Sequence, residues 1–261
     1  MTRKNDPNAS KRRTALAIFF WLLLIVGLLL IIIPLVLRFR SETEIQQNLD
    51  HWKQHYQPAT TPNEVNESTS APTVPLYPEL LAEMIAYNVS IYMDGQAGLV
   101  DAWSYQKESF DLAQYGIEDS IAGYITIPSI DVEMPLYLGA SYENLRMGFA
   151  QLSQTSMPIG GNNTNCVVAC HRGWNGAVYL RDADQMEIGD EVILQNLWET
   201  LNYEVCEIEV IAPYEIDKVL IQQGRDMLTI VTCTPYGVGS HRLILYCERV
   251  DEEPAIQAPQ I

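Results

Sequence analysis

The sequence predicts a mainly β protein: a small, closed or nearly closed barrel of about eight strands with short helices, carried behind one transmembrane helix. Three observations predict it. An unbroken apolar run near the N-terminus is long enough to cross a bilayer. A Pro/Ser/Thr/Asn-rich stretch separates that run from the rest. Beyond Gly123 the chain breaks into short β-like runs spaced by turn residues.

The first thirteen residues form a tail with five basic side chains (Arg3, Lys4, Lys11, Arg12, Arg13) and one acid, Asp6. Thr14 to Leu37 is a run of 24 uncharged, mostly apolar residues. At about 1.5 Å per residue it crosses a hydrocarbon core of roughly 30 Å. Pro34 lies near its end, where a kink is tolerated. Only Arg38 and Arg40 follow before the acids begin, so the positive-inside rule predicts a cytoplasmic N-terminus and an extracellular remainder. A cleaved signal peptide calls for a shorter apolar region ending in small residues. This one runs into "VLRFRSETE", which favours an uncleaved, single-pass anchor in the cell membrane.

Residues 38–77 read as stalk and linker. Residues 41–56 are polar and extend the membrane helix, and Gln57 to Pro75 is nearly devoid of large apolar residues. A helix follows from Pro78, a proline suited to a first helical turn, with Leu80, Leu81, Met84 and Ile85 at helical spacing. This helix and the segment after it occupy 78–122. The barrel occupies 123–250, with strands expected in "YITIPSI", "CVVAC", "EVILQN", "YEVCEIEVIAP", "KVLIQQ", "MLTIVTC" and "LILYCERV". Residues 251–261 read as a disordered tail, with no second membrane segment before it.

Of the 16 basic residues nine lie beyond Arg40, against 32 of the 33 acids, a net charge of −23 on that portion. Such a surface excludes nucleic-acid and anionic-lipid binding, which need basic patches, and is compatible with a lysine-bearing protein partner. The five cysteines (Cys166, Cys170, Cys206, Cys233, Cys247) include no CxxC pair for zinc and no dense disulfide pattern. Being odd in number, they leave at least one thiol free or paired between molecules.

In "TIVTCTPYGVGSHRLIL" a β-forming run ends on Cys233, a Pro/Gly turn follows, and His241-Arg242 opens the next run. A catalytic thiol needs a partner that stabilises thiolate and a donor aimed at the developing oxyanion. Arginine suits the second task because it stays charged. Histidine suits proton transfer to a leaving amine. Consecutive residues of a strand face opposite ways, so if Arg242 faces Cys233, His241 turns away. His171, after the apolar run "CVVAC", sits at a strand-to-loop position like that of Cys233. Alternation favours His171 over His241, although a turn can break it.

These residues resemble the active-site signature of the sortases, a Thr-Leu-x-Thr-Cys strand end followed by an arginine that opens the next strand. Ile230 stands in the leucine position. "TCTPYG" with "HRL", and "HRGW" around His171, resemble the class C, pilus-assembling members, and Gly123 to Gly161 fits the family's opening strands. The resemblance runs from about Pro78 to Val250. It implies a sortase-type barrel and a cysteine transpeptidase that needs no metal or organic cofactor. Cys233 would attack the Thr–Gly carbonyl of an LPXTG-like sorting signal. His171 would protonate the departing amine, and Arg242 would hold the substrate and the oxyanion. A lysine amine of a pilin would then resolve the thioester. The expected setting is a Gram-positive-type cell surface.

The resemblance also implies a lid in 78–122, whose family motif is Asp-Pro-Phe or Asp-Pro-Trp. "DAW" places Asp101 to pair with Arg242 and Trp103 to cover the thiol, with Ala102 in place of the proline that would preorganise the loop. Cys170 stands where the family usually has glycine, and alternation turns it away from the pocket. Many class C members carry a second, C-terminal membrane helix, which this chain lacks. Two other readings remain: a sortase that attaches single surface proteins to a cell-wall peptide amine, and a catalytically silent extracellular binding module.

Overall fold

The structure, a computed structural model, describes residues 7–56, 75–99, 107–117, 120–173 and 179–250. Helix α1 runs from Pro7 to Tyr56. Among the described residues it is the one helix long and apolar enough to cross a membrane. Its most apolar stretch has a mean hydropathy of 3.3 and is buried nowhere in the protein. Beyond that stretch the helix does more than the polar stalk expected for 41–56. Ile45, Leu49 and Trp52, spaced four and three residues apart, form one buried stripe against the barrel. Trp52 is fully buried. Its indole N–H donates to the Ile121 carbonyl at 3.0 Å, and its ring meets Tyr124 edge-on at 5.5 Å. Lys53 pairs with Glu133 at 2.7 Å beside it. Three apolar residues among thirteen polar neighbours are easily read as incidental; their shared face makes them a docking surface.

Helix α2, Pro78–Met93, forms where its spacing predicts, with proline in the first turn and Leu80, Leu81, Met84 and Ile91 buried. Its Asn88 side chain accepts the Met157 amide at 2.7 Å, tying the helix to the chain between two strands. Leu49 and Trp52 share one apolar cluster with α2 that closes over Ile121, Tyr124, Tyr137 and Leu138, whereas Ile45 packs with the other main cluster of the barrel.

Eight strands make the barrel: β1 Ile121–Ile127, β2 Val132–Leu138, β3 Phe149–Gln151, β4 Thr164–Ala169, β5 Glu191–Asn196, β6 Thr200–Ile211, β7 Asp226–Thr234 and β8 His241–Arg249. They close in the order β1-β2-β3-β4-β7-β8-β6-β5. The β2–β3 and β4–β7 pairs are parallel and the others antiparallel. A six-residue helix, α3 Tyr142–Met147, makes the crossover from β2 to β3, capped by the Ser141 hydroxyl. Closure removes exposed strand edges.

The side chains of β4, β7 and β8 alternate between two apolar layers. Cys166, Val168, Leu228, Ile230, Leu243, Leu245 and Cys247 fill the barrel interior. Val167, Met227, Val231, Ile244 and Tyr246 lie on the outer face, covered by Leu145, Ile211 and Val219. Burial on both faces is why "MLTIVT" reads as a continuous apolar run rather than an alternating one. One expected strand is absent. "KVLIQQ" lies in a crossing segment whose short 3-10 helix, Ile216–Val219, is held by Lys218–Glu209 at 2.7 Å and by the Asn165 side chain donating to the Val219 carbonyl. Its apolar residues cover the barrel's outside instead of pairing in it.

Candidate active site

Cys233 is the next-to-last residue of β7, and its antiparallel partner in β8 is Arg242. Directly opposed residues share a face, with Cβ atoms about 4.5–5.5 Å apart. Both continue the outer-face series, Cys233 after Val231 and Arg242 before Ile244. The intervening turn is compact. Val238 and Gly239 both donate their amides to the Pro235 carbonyl, at 3.1 and 3.0 Å. Gly239, with φ near +67, lies against the thiol: a Cβ there would stand 3.9 Å from the Cys233 sulfur. The Arg242 guanidinium curls back on this turn, donating to the Gly239 carbonyl at 3.2 Å and the His241 carbonyl at 3.1 Å. Both Cys233 and Arg242 are half-buried.

His171 arrives from β4. The parallel β4–β7 register ends at Ala169 opposite Val231, and three contacts carry it onward. The Cys170 amide donates to the Val231 carbonyl at 3.1 Å. The Thr232 hydroxyl donates to the Cys170 carbonyl at 2.8 Å, and the Arg172 guanidinium donates to the Thr234 hydroxyl at 2.7 Å. Residues 170 and 172 are thus bonded to the two neighbours of Cys233, which leaves His171 level with Cys233 itself. Burial pushes the His171 imidazole below its ordinary value of 6.5, so it is neutral near pH 7. His241 points the other way, exposed and paired through Nδ1 with the Ser240 hydroxyl at 2.9 Å.

Arg172 is a residue whose role the sequence reading passed over. Its side chain is 4% exposed and its guanidinium makes three contacts: Thr234, the Arg181 carbonyl at 3.1 Å and Asp184 at 2.6 Å. It clamps the end of β4 to the end of β7 and to the segment after 179. The signal was the arginine next to the histidine, in a chain with few basic residues beyond the membrane run. Cys170 faces the barrel interior with Val168, where burial pushes its thiol up and keeps it protonated. Asp101, Ala102 and Trp103 lie outside the described residues.

A thiol and a guanidinium opposed across β7 and β8, with an imidazole at the end of the neighbouring β4, are the parts that thiol-based acyl transfer uses. Residues 125–250 match the family model described as Sortase domain. The lid mutant of Streptococcus agalactiae sortase C1 is 31% identical, with 67% of this chain and 89% of that one covered and a TM-score of 0.60. The chain belongs to the sortase family. Sortase C1 of GBS Pilus Island 1 is 28% identical over 79% of this chain and 98% of that one, with a TM-score of 0.63. Among curated proteins, sortase D of Bacillus subtilis is 24% identical over 132 residues, which are 49% of this chain and 64% of that protein. The chain therefore spans less than two thirds of that sortase's length. Its structural neighbours are sortases of class C, the class it most resembles.

Proposed function

We propose that the chain is a membrane-anchored cysteine transpeptidase that cleaves an LPXTG-like sorting signal between Thr and Gly and joins the acyl group to a lysine amine of a pilin. The observation that carries this is the opposition of Cys233 and Arg242 across β7 and β8, with His171 bracketed beside the thiol. The Cys233 thiol gives its proton to His171, and its sulfur attacks the Thr carbonyl carbon. Arg242 donates to the oxyanion. As the C–N bond breaks, His171 returns the proton to the glycine amine, leaving a thioester on Cys233. The lysine amine then attacks that thioester, its proton passes to His171, and the C–S bond breaks as the isopeptide bond forms; the departing Cys233 sulfur takes the proton back from His171. Asp101 and Trp103 act as a lid, the carboxylate on Arg242 and the indole over the thiol. The relative from a pilus island supports a pilin as acceptor, and the lid mutant supports a lid in this class. Helix α1 holds the enzyme in the cell membrane, N-terminus inside and barrel outside.

The test is reconstitution of the full chain with a pilin bearing an LPXTG-like signal. A thioester at Cys233 and covalent pilin ladders are expected. Cys233→Ala, His171→Ala and Arg242→Ala should each stop laddering, and laddering that survives all three refutes the assignment. Product carrying a cell-wall peptide amine instead of a pilin lysine would mark the enzyme as an anchoring sortase. Asp101→Ala or Trp103→Ala should speed thiol labelling of Cys233; unchanged rates would remove the lid.

A further inference from the structure

We infer that Tyr179 is a positioning residue that fixes the imidazole of His171, and that α1 and α3 in turn hold Tyr179 by its hydroxyl. This rests on the reading of His171 as the proton carrier. The Tyr179 ring meets the His171 ring edge-on, with centroids 6.1 Å apart and planes at 81°. Next to it, the Leu180 amide donates to the His171 carbonyl at 3.1 Å, so this one segment grips both the backbone and the ring of the histidine. The Tyr179 hydroxyl donates to the Arg146 carbonyl in the last turn of α3 at 2.6 Å. Ser41 of α1 hydrogen-bonds the same side chain.

Two further features bear on how the ring is held. Tyr179 has φ +42, a left-handed backbone conformation that a bulky aromatic residue adopts only when its surroundings require it. Behind it a cavity of about 660 Å³ opens between α1 and the barrel, lined by Glu42, Ile45, Gln46, Val132 and Met134, with Tyr179 as a wall. The ring is buried within the barrel's main apolar cluster, so packing and the two hydroxyl bonds together set its orientation. The torsion that turns an imidazole about its Cβ–Cγ bond is broad and soft, so an adjoining edge decides where the ring nitrogens point. Through Ser41, the membrane-proximal turn of α1 reaches the histidine with one side chain intervening.

The test uses the full chain in detergent, with a sorting-signal peptide as donor and a lysine-bearing peptide as acceptor. Tyr179→Leu should lower kcat about tenfold or more while KM stays within about twofold, because orientation rather than binding is lost. The His171 ring titration, followed by NMR, should move up toward the ordinary histidine value as the shielding ring is removed. Tyr179→Phe keeps the ring edge but loses both hydroxyl bonds, so its kcat should fall between those of the parent and of Tyr179→Leu; a parental kcat would remove the hydroxyl's part in the inference. Ser41→Ala, a milder change at the helix, should move the His171 titration in the same direction and serves if Tyr179→Leu does not fold. A folded Tyr179→Leu protein with parental kcat, or a loss of kcat with an unmoved His171 titration in both the Tyr179→Leu and Ser41→Ala proteins, overturns the inference. Full activity of His171→Ala would instead refute the reading of His171 beneath it.

Discussion

Replacing Trp52 with alanine tests whether α1 is part of the folded unit or merely its tether. Trp52 is fully buried, donates one hydrogen bond to the barrel and meets Tyr124 edge-on. Removing a buried indole costs about 3–5 kcal/mol through lost transfer energy and the cavity left behind. The orphaned Ile121 carbonyl adds to that, by about 1 kcal/mol if water does not replace the donor. Trp52→Phe keeps most of the apolar volume and loses the hydrogen bond, so about 1–2 kcal/mol is expected. Urea unfolding of the full chain in detergent, followed by near-ultraviolet circular dichroism, measures both. A Trp52→Ala loss below about 1 kcal/mol, or no difference between the two variants, would mean that α1 stands clear of the barrel and that its buried stripe contributes nothing.

Other outcomes follow from the site. Arg172→Met keeps the aliphatic stem and removes three contacts, so a loss of about 2–3 kcal/mol is expected by urea unfolding; parental stability would show that the clamp holds nothing. Because burial lowers the His171 imidazole in the native state, the unfolded chain binds the proton more readily. The associated stability is fully present above 6.5 and is lost as pH falls from there toward the lowered native value. His171→Gln should therefore lose less stability than the parent between about pH 7.5 and pH 5, and equal losses would contradict the burial. Cys166, Cys170 and Cys247 are buried with their thiols pushed up, whereas Cys206 and Cys233 are half-buried. Mass spectrometry after native thiol labelling should find modification only at Cys206 and Cys233; label on Cys170 would place that residue in the pocket.

Where a physical rule acts on a few consecutive residues, the sequence was enough. The turn residues and apolar runs mark most strands, and the Cys233–Arg242 motif predicts the pairing of those two residues across β7 and β8. Alternation separates His241 from Arg242, and it turns Cys170 inward as expected. What escaped depends on distant partners. Strand β3 is three residues long and exists because β2 and β4 flank it. "KVLIQQ" has strand composition, but its apolar side chains are spent covering the outer face. The stripe of Ile45, Leu49 and Trp52 looks incidental until the barrel supplies its counterpart. Arg172 looks like a surface cation until Thr234, Arg181 and Asp184 gather around it, two of them in its own later loop and one 62 residues away.

Helix α1 is also continuous from the apolar run to the barrel. Neither proline nor glycine interrupts it between Leu35 and Tyr56. Ser41, which reaches Tyr179 and so the flank of His171, lies only four residues past Leu37, about 6 Å along the axis at the helical rise. The helix then climbs to Trp52, beside the opposite end of β1. One unbroken helix thus carries both the contact at the flank of His171 and the anchor at Trp52, so the apolar run and the barrel are joined by a rod rather than by a flexible tether.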